Sequence, residues 1–167
     1  MVYKRKTWTE KLHDKKQFPK ILKFDPKFPC GKALTKWGAQ PGDSVVLTAP
    51  IEVDELMRQV PVGKVITIFE ICDTLAQRHK AMYCCSLTTG IFINIVAHAA
   101  EEAKKRGEVP ITPYWRTLKT NGLLNSKYPG GIEVQKQLLE KEGLVVCAKG
   151  KNLFVKDFED YLYQDLE

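Results

Sequence analysis

No apolar run in the chain is long enough to span a bilayer. A spanning helix needs roughly 20 predominantly apolar residues, and the best stretch, residues 90–100, is too short and contains Asn94 and His98. The opening Met-Val-Tyr-Lys-Arg-Lys has no apolar segment behind it, so no secretory signal is expected. The five cysteines are odd in number and none stands in CxxC spacing, which argues against a disulfide framework or a zinc site. A reducing cytoplasm is the expected location (nucleoid-associated in a prokaryote), with no membrane contact, metal or cofactor. Repeats and low-complexity segments are also lacking. What is present is ordinary: 167 residues, 44% hydrophobic and 28% charged, enough for one domain with a real core.

The charge is unevenly placed. Residues 1–36 hold eleven Lys and Arg (Lys4, Arg5, Lys6, Lys11, Lys15, Lys16, Lys20, Lys23, Lys27, Lys32, Lys36) against Glu10, Asp14 and Asp25, a balance of +8. The other 131 residues carry 15 basic and 17 acidic side chains, or −2, so the net charge of +6 resides in the arm. Trp8, Phe18, Phe24 and Phe28 are interleaved with Pro19, Pro26 and Pro29. A polyanion partner is one reading, since lysines near phosphates release counterions. A solvated basic extension pinned to the core by its aromatics is the other.

Prolines and glycines break every pattern in residues 1–49, which read as irregular. Pro50 opens a helix with Glu52, Asp54 and Glu55 in its first turn and a Val53, Leu56, Met57, Val60 stripe; Pro61-Val62-Gly63 stops it. Thr67 and Glu70 have capping-box spacing for a second helix with Phe69, Ile71, Cys72, Leu75 and Ala76 inward. A third helix runs from about Ser86 to Arg106, with Leu87, Ile91, Ile95 and His98 on one line and Phe92, Val96, Ala99 and Ala103 on the next. Two helices, a short turn and a longer helix follow helix-turn-helix order. Asn121-Gly122 signals a turn, 127–131 a loop, and Ile132 to Glu142 a helix. Residues 144–147 and 153–155 flank Lys149-Gly150-Lys151-Asn152 as a hairpin, and Phe158, Tyr161, Leu162 and Leu166 fit a closing amphipathic helix.

Five segments then occur in a telling order. They are Pro61-Val62-Gly63-Lys64-Val65-Ile66-Thr67, Pro113-Tyr114-Trp115-Arg116-Thr117, Asn121-Gly122, Tyr128-Pro129-Gly130-Gly131 and Leu138-Leu139-Glu140-Lys141-Glu142-Gly143. From about Pro50 to Val146 the chain resembles the DNA-binding active-site domain of the alkylguanine-DNA alkyltransferases. The resemblance implies an α+β, mostly helical fold: a winged helix-turn-helix domain over 50–167 with small β-hairpins, preceded by the basic extension 1–49.

Departures from the family pattern set the functional expectation. Tyr114 stands where the resemblance places an alkyl-accepting cysteine, Trp115 where it places the histidine, and Glu142 alone matches the relay. A phenol titrating near 10 is a poor nucleophile without a base, so no enzyme activity and no catalytic residue are expected. The chain is most similar to the alkyltransferase-like proteins, which bind lesions without removing them. The expected partners are double-stranded DNA, with alkylated or altered bases as the target, and repair proteins; a protein-interaction module that has lost DNA binding is the alternative. Tyr114, Trp115, Arg116, Phe92, Tyr128 and Glu142 are the lesion-pocket candidates. Lys64, Thr88, Thr89, Asn94, Lys104, Lys105, Arg106, Lys119 and Lys127 are the DNA-contact candidates. No arginine lies between Arg78 and Arg106 to push a base from the stack, which leaves Phe92 as the candidate wedge. Arg116 has a structural alternative, an ion pair with Glu142. His98 reads as a core histidine. The vicinal Cys84-Cys85 reads as a redox or metal pair or as buried structural thiols.

Overall fold

The computed structural model describes residues 2–15 and 17–167. Lys16, counted in the basic arm, lies outside them. The frame is set by three helices: α3 (Pro50–Gln59), α4 (Ile68–Arg78) and α5 (Ser86–Lys105). Pro50 takes the first helical position of α3, where its missing N–H costs nothing, and the Glu52 carboxylate accepts the Ala49 N–H at 3.2 Å. Val53, Leu56, Met57 and Val60 are all buried. At α4 the capping box forms: Phe69 N donates to Thr67 Oγ1 at 3.2 Å, and Thr67 N donates to Glu70 at 2.7 Å. Ile71, Cys72, Leu75 and Ala76 face inward as the spacing predicts. Phe69 does not. It is 49% exposed and meets Trp37 edge-on, with ring centroids 5.3 Å apart.

Helix α5 packs against α3 and α4. Phe92, Val96 and Ala99 are buried, whereas Leu87 and Ile91, expected on the apolar face, are about half exposed. The apolar arc of α5 is therefore wider than the core it serves. Arg106 and Gly107, at φ +83°, end the helix.

The reading of residues 1–49 as irregular is corrected. They form α1 (Trp8–Leu12), β1 (Lys20–Lys23), α2 (Gly31–Lys36) and β2 (Ser44–Leu47). Thr7 and Glu10 make a second capping box ahead of α1. Each proline lies beside these elements rather than inside one, which is why proline density misleads here. β1 pairs antiparallel with β2, and β2 pairs in parallel with β4 (Tyr83–Cys84). Phe24, Cys30, Leu34, Ala39, Val45 and Cys85 form a small core of their own.

Past α5, a 3-10 turn (Tyr114–Arg116) leads into β5 (Thr117–Leu118), which runs parallel to β3 (Ile66–Thr67). At Asn121-Gly122 both residues have positive φ, and a Cβ on Gly122 would come within 2.5 Å of Phe158. Helix α6 (Gly131–Lys141) follows the loop, and β6 (Val146–Lys149) pairs with β7 (Asn152–Val155) as the expected hairpin. The closing helix does not form. Residues Phe158–Tyr161 make one 3-10 turn, and the extended end instead satisfies Val65, whose N–H reaches Tyr161 O and whose carbonyl accepts from Tyr163 N. That backbone pairing replaces helical hydrogen bonds. Among the described residues no helix is long and apolar enough to cross a membrane.

Candidate functional site

Glu142, at the C-terminal cap of α6, gathers three segments. Its Oε1 accepts from Trp115 Nε1 at 2.9 Å and from Arg116 Nη2 at 2.8 Å, and its Oε2 accepts from Gly63 N at 3.2 Å. Arg116 Nη1 donates in addition to Val60 O at 2.6 Å. Burial pushes the Glu142 carboxyl up, but the hydrogen bonds from Arg116, Trp115 and Gly63 outweigh it and hold the group below the usual carboxylate range. Both side chains are about nine-tenths buried. The pair ties the turn after α3 to the 3-10 turn and α6, the structural alternative anticipated for Arg116. Trp115 donates here and cannot accept a proton.

Tyr114 is 1% exposed and donates its hydroxyl to Glu101 Oε1 at 2.8 Å. Burial, then the Glu101 hydrogen bond and charge, push the phenol above its ordinary value, so a phenolate is disfavoured. Tyr128, also buried, stacks edge-on against Tyr114 and donates to Thr117 O at 2.8 Å. Phe92 is buried against Phe18, not at a mouth. The space around Tyr114 is thus filled by the protein's own side chains.

A cleft of about 310 Å³ lies beside that cluster, between the N-terminal half of α5 and residues 118–128. Leu87, Gly90 and Ile91 form its α5 wall, Lys119 and Lys127 stand on the other, and Tyr128 contributes its inner edge. Asn125 joins the walls: its side-chain amide donates to Asn94 Oδ1 at 3.0 Å, and its Oδ1 accepts from Lys127 N at 3.0 Å. Gln135 on α6 braces the same loop by accepting Asn125 N at 2.7 Å and donating to Trp115 O at 3.1 Å. Neither a cysteine nor a carboxylate lines the cleft. It offers an apolar floor with amide, hydroxyl and ammonium groups at its rim.

Of the residues singled out from sequence, the cleft unites Asn94, Lys119, Lys127 and Tyr128. Tyr114, Trp115, Arg116, Phe92 and Glu142 lie behind it. Thr89 is buried with its hydroxyl on the Cys84 sulfur, and Thr88 bonds the Cys85 sulfur, so both turn inward from the cleft. Lys104 and Lys105 are exposed at the far end of α5, Arg106 is held by Glu108 and Thr9, and Lys64 is exposed ahead of β3; none of them lines the cleft. Leu87 and Ile91, read as part of the inward face of α5, and Gly90 and Asn125 were not among the site candidates. The excess width of the apolar arc on α5 was the signal that could have marked the first two. His98 is half-buried, with Nε2 2.9 Å from Lys127 O and the Trp8 ring stacked on it.

Cys30, Cys72, Cys84 and Cys85 are buried and free, and Cys147 is half-buried on β6. The Cys84 thiol is pulled down chiefly by a hydrogen bond from Cys72, whose own value rises in consequence. Burial pushes Cys30 up to about 12. Among the described residues no three His, Cys, Asp or Glu side chains converge as a metal-binding group.

No family model and no curated protein matches the chain. Two solved structures from S. pombe do. Atl1 in complex with damaged DNA containing O6-carboxymethylguanine is 19% identical, with 70% of this chain and 94% of that one aligned and a TM-score of 0.49. ATL in complex with DNA has the same identity and coverage and a TM-score of 0.52. On the second likeness, the mixed α+β fold of this chain resembles that of an alkyltransferase-like protein.

Proposed function

We propose that the protein is a non-catalytic duplex-DNA binder of the alkyltransferase-like kind, with altered bases as its target. In this reading residues 50–167 are the binding unit, α4 and α5 with the intervening turn are its helix-turn-helix, and the β6–β7 hairpin is its wing. The carrying observation is the cleft along α5, apolar at its floor, with Lys119 and Lys127 and no carboxylate, on a fold that resembles a DNA-bound protein. Phosphate contacts by the two lysines set the register. Leu87 and Ile91 supply an apolar surface against bases, and the cleft beside Tyr128 takes a displaced base. Alkyl transfer has no chemical means here: the Tyr114 phenol is buried and held protonated, Trp115 is a donor, and no thiol reaches the cleft.

Two measurements test this reading. Intact mass after incubation with an O6-methylguanine duplex stays unchanged; a gain of one methyl would overturn the non-catalytic assignment. Gly90→Leu, which fills the cleft from α5, removes the preference for the alkylated over the plain duplex. An undiminished preference would move the base elsewhere.

A second reading, a protein-docking module, has its own observation. Phe69 and Met82 are exposed beside Trp37 around a hollow of about 170 Å³ between α4 and β4. Phe69→Ser would then abolish association with a repair protein while leaving duplex binding intact.

A further inference from the structure

A second hollow, of about 350 Å³, continues the cleft along α5. Its lining includes Ile91, Asn94 and Lys127, shared with the first, and then Trp8, Lys11 and His98. The two together run from Leu87 to His98, twelve residues of helix and eleven rises, or about 16 Å. That is the span of about five nucleotide steps at 3.4 Å each. Its outer wall is α1, which the fold holds in place firmly. Glu102 on α5 accepts Trp8 N at 3.0 Å, Thr9 N at 2.9 Å and the Thr9 hydroxyl at 2.8 Å. Arg106 donates to Thr9 Oγ1 at 3.1 Å, the Trp8 ring stacks on His98 at 4.4 Å, and Leu12 is buried in the main core. Lys11 Nζ sits 4.2 Å above the Trp8 ring, at the edge of the hollow, and Lys4 and Arg5 are exposed just ahead of α1.

Both carboxylates of α5 are already engaged. Glu101 accepts from Tyr114 and Glu102 from α1. No Asp or Glu lines either hollow, so the groove presents lysines from both walls and no opposing charge.

We propose that α1 is the second wall of a nucleic-acid groove: a DNA backbone lying along α5 meets Lys11 on one side and Lys119 and Lys127 on the other, and Glu102 is the positioning residue that sets α1 in register. This rests on the DNA reading above and adds a partner contact that the α5 cleft alone lacks. The basic arm thus both packs on the core and presents its charge, the two roles its sequence left as alternatives.

The sign of one substitution separates positioning from simple charge. Glu102→Gln removes a negative charge beside the groove, so electrostatics alone makes the duplex bind more tightly. If Glu102 places α1, the same change weakens binding threefold or more at low salt. Affinities of the full-length protein for a fluorescent unmodified duplex are measured by anisotropy between about 50 and 200 mM salt, with thermal melts confirming that each variant is folded. Lys11→Gln lowers the log–log salt slope by about 0.9, whereas Lys141→Gln, one charge fewer on exposed α6, leaves it unchanged. Tighter binding by Glu102→Gln, or an unchanged slope in Lys11→Gln while the wild type binds, overturns the α1 wall and leaves the cleft reading standing. Absence of duplex binding by the wild type overturns both. Should Glu102→Gln fail to fold, the Lys11→Gln slope decides.

Discussion

Tyr114 and Glu142 are both committed to structure. The Tyr114 hydroxyl has a single partner, Glu101. Tyr114→Phe therefore removes one hydrogen bond without opening a cavity and costs about 1 kcal/mol, measurable by urea denaturation, with no effect on duplex affinity. Tyr114→Ala is a poorer probe, because a fully buried ring is lost and stability falls with it. Glu142 gives a pH signature. Its folded-state value lies below the reference of 4.5, so its contribution is fully present above about pH 4.5 and is lost as the pH falls through the depressed value. Glu142→Gln should flatten that acid loss. At neutral pH it should also cost about 3 kcal/mol, since Arg116 is left buried without its counter-charge. The Arg116–Glu142 pair was legible in the sequence, because both residues belong to segments whose order was recognised. The Tyr114–Glu101 bond was not: it depends on how the loop after α5 folds back, which spacing does not encode.

Among the elements, those with local stop and start signals were the readable ones. Pro50 at the head of α3, the Thr67–Glu70 box and Gly107 after α5 each set a boundary through groups within four residues. Thr67→Ala should destabilise the protein by about 1 kcal/mol by orphaning the Phe69 N–H. The closing helix was misread because its apolar spacing is real, but the competing partner, the Val65 backbone, lies nearly 100 residues earlier. In α5 the pattern identified the inward line correctly and assigned Leu87 and Ile91 to it as well. Their exposure is what makes the cleft, so the error in packing marks the site. A position in the same wall allows a graded test. A Cβ at Gly90 meets Ile68 at an ordinary 3.7 Å. Gly90→Ala should therefore raise stability by about 0.5–1 kcal/mol through helix propensity and only narrow the cleft.

For the molecule as a whole, the N-terminal 49 residues change from an arm into a lobe. Their lysines are mostly on the surface, but Leu12, Phe24, Leu34, Val45 and Val46 are buried, and β2 pairs in parallel with β4 at the head of α5. Deleting residues 1–36 would strip β1 from β2 and uncover Val45 and Cys85, so the truncated protein should melt well below the full chain rather than fold unchanged. Charge counting identified the basic segment but not where it docks, because docking depends on a capping box at Thr7 and on Glu102, 93 residues from Thr9. The central claim, that duplex DNA lies along the exposed face of α5, is tested most directly by methyl-resolved NMR of the labelled 19.0 kDa protein titrated with duplex. The account predicts shifts at the Leu87 and Ile91 methyls, with Met82 unmoved on the far flank. Shifts at Met82 with Leu87 and Ile91 silent would contradict it.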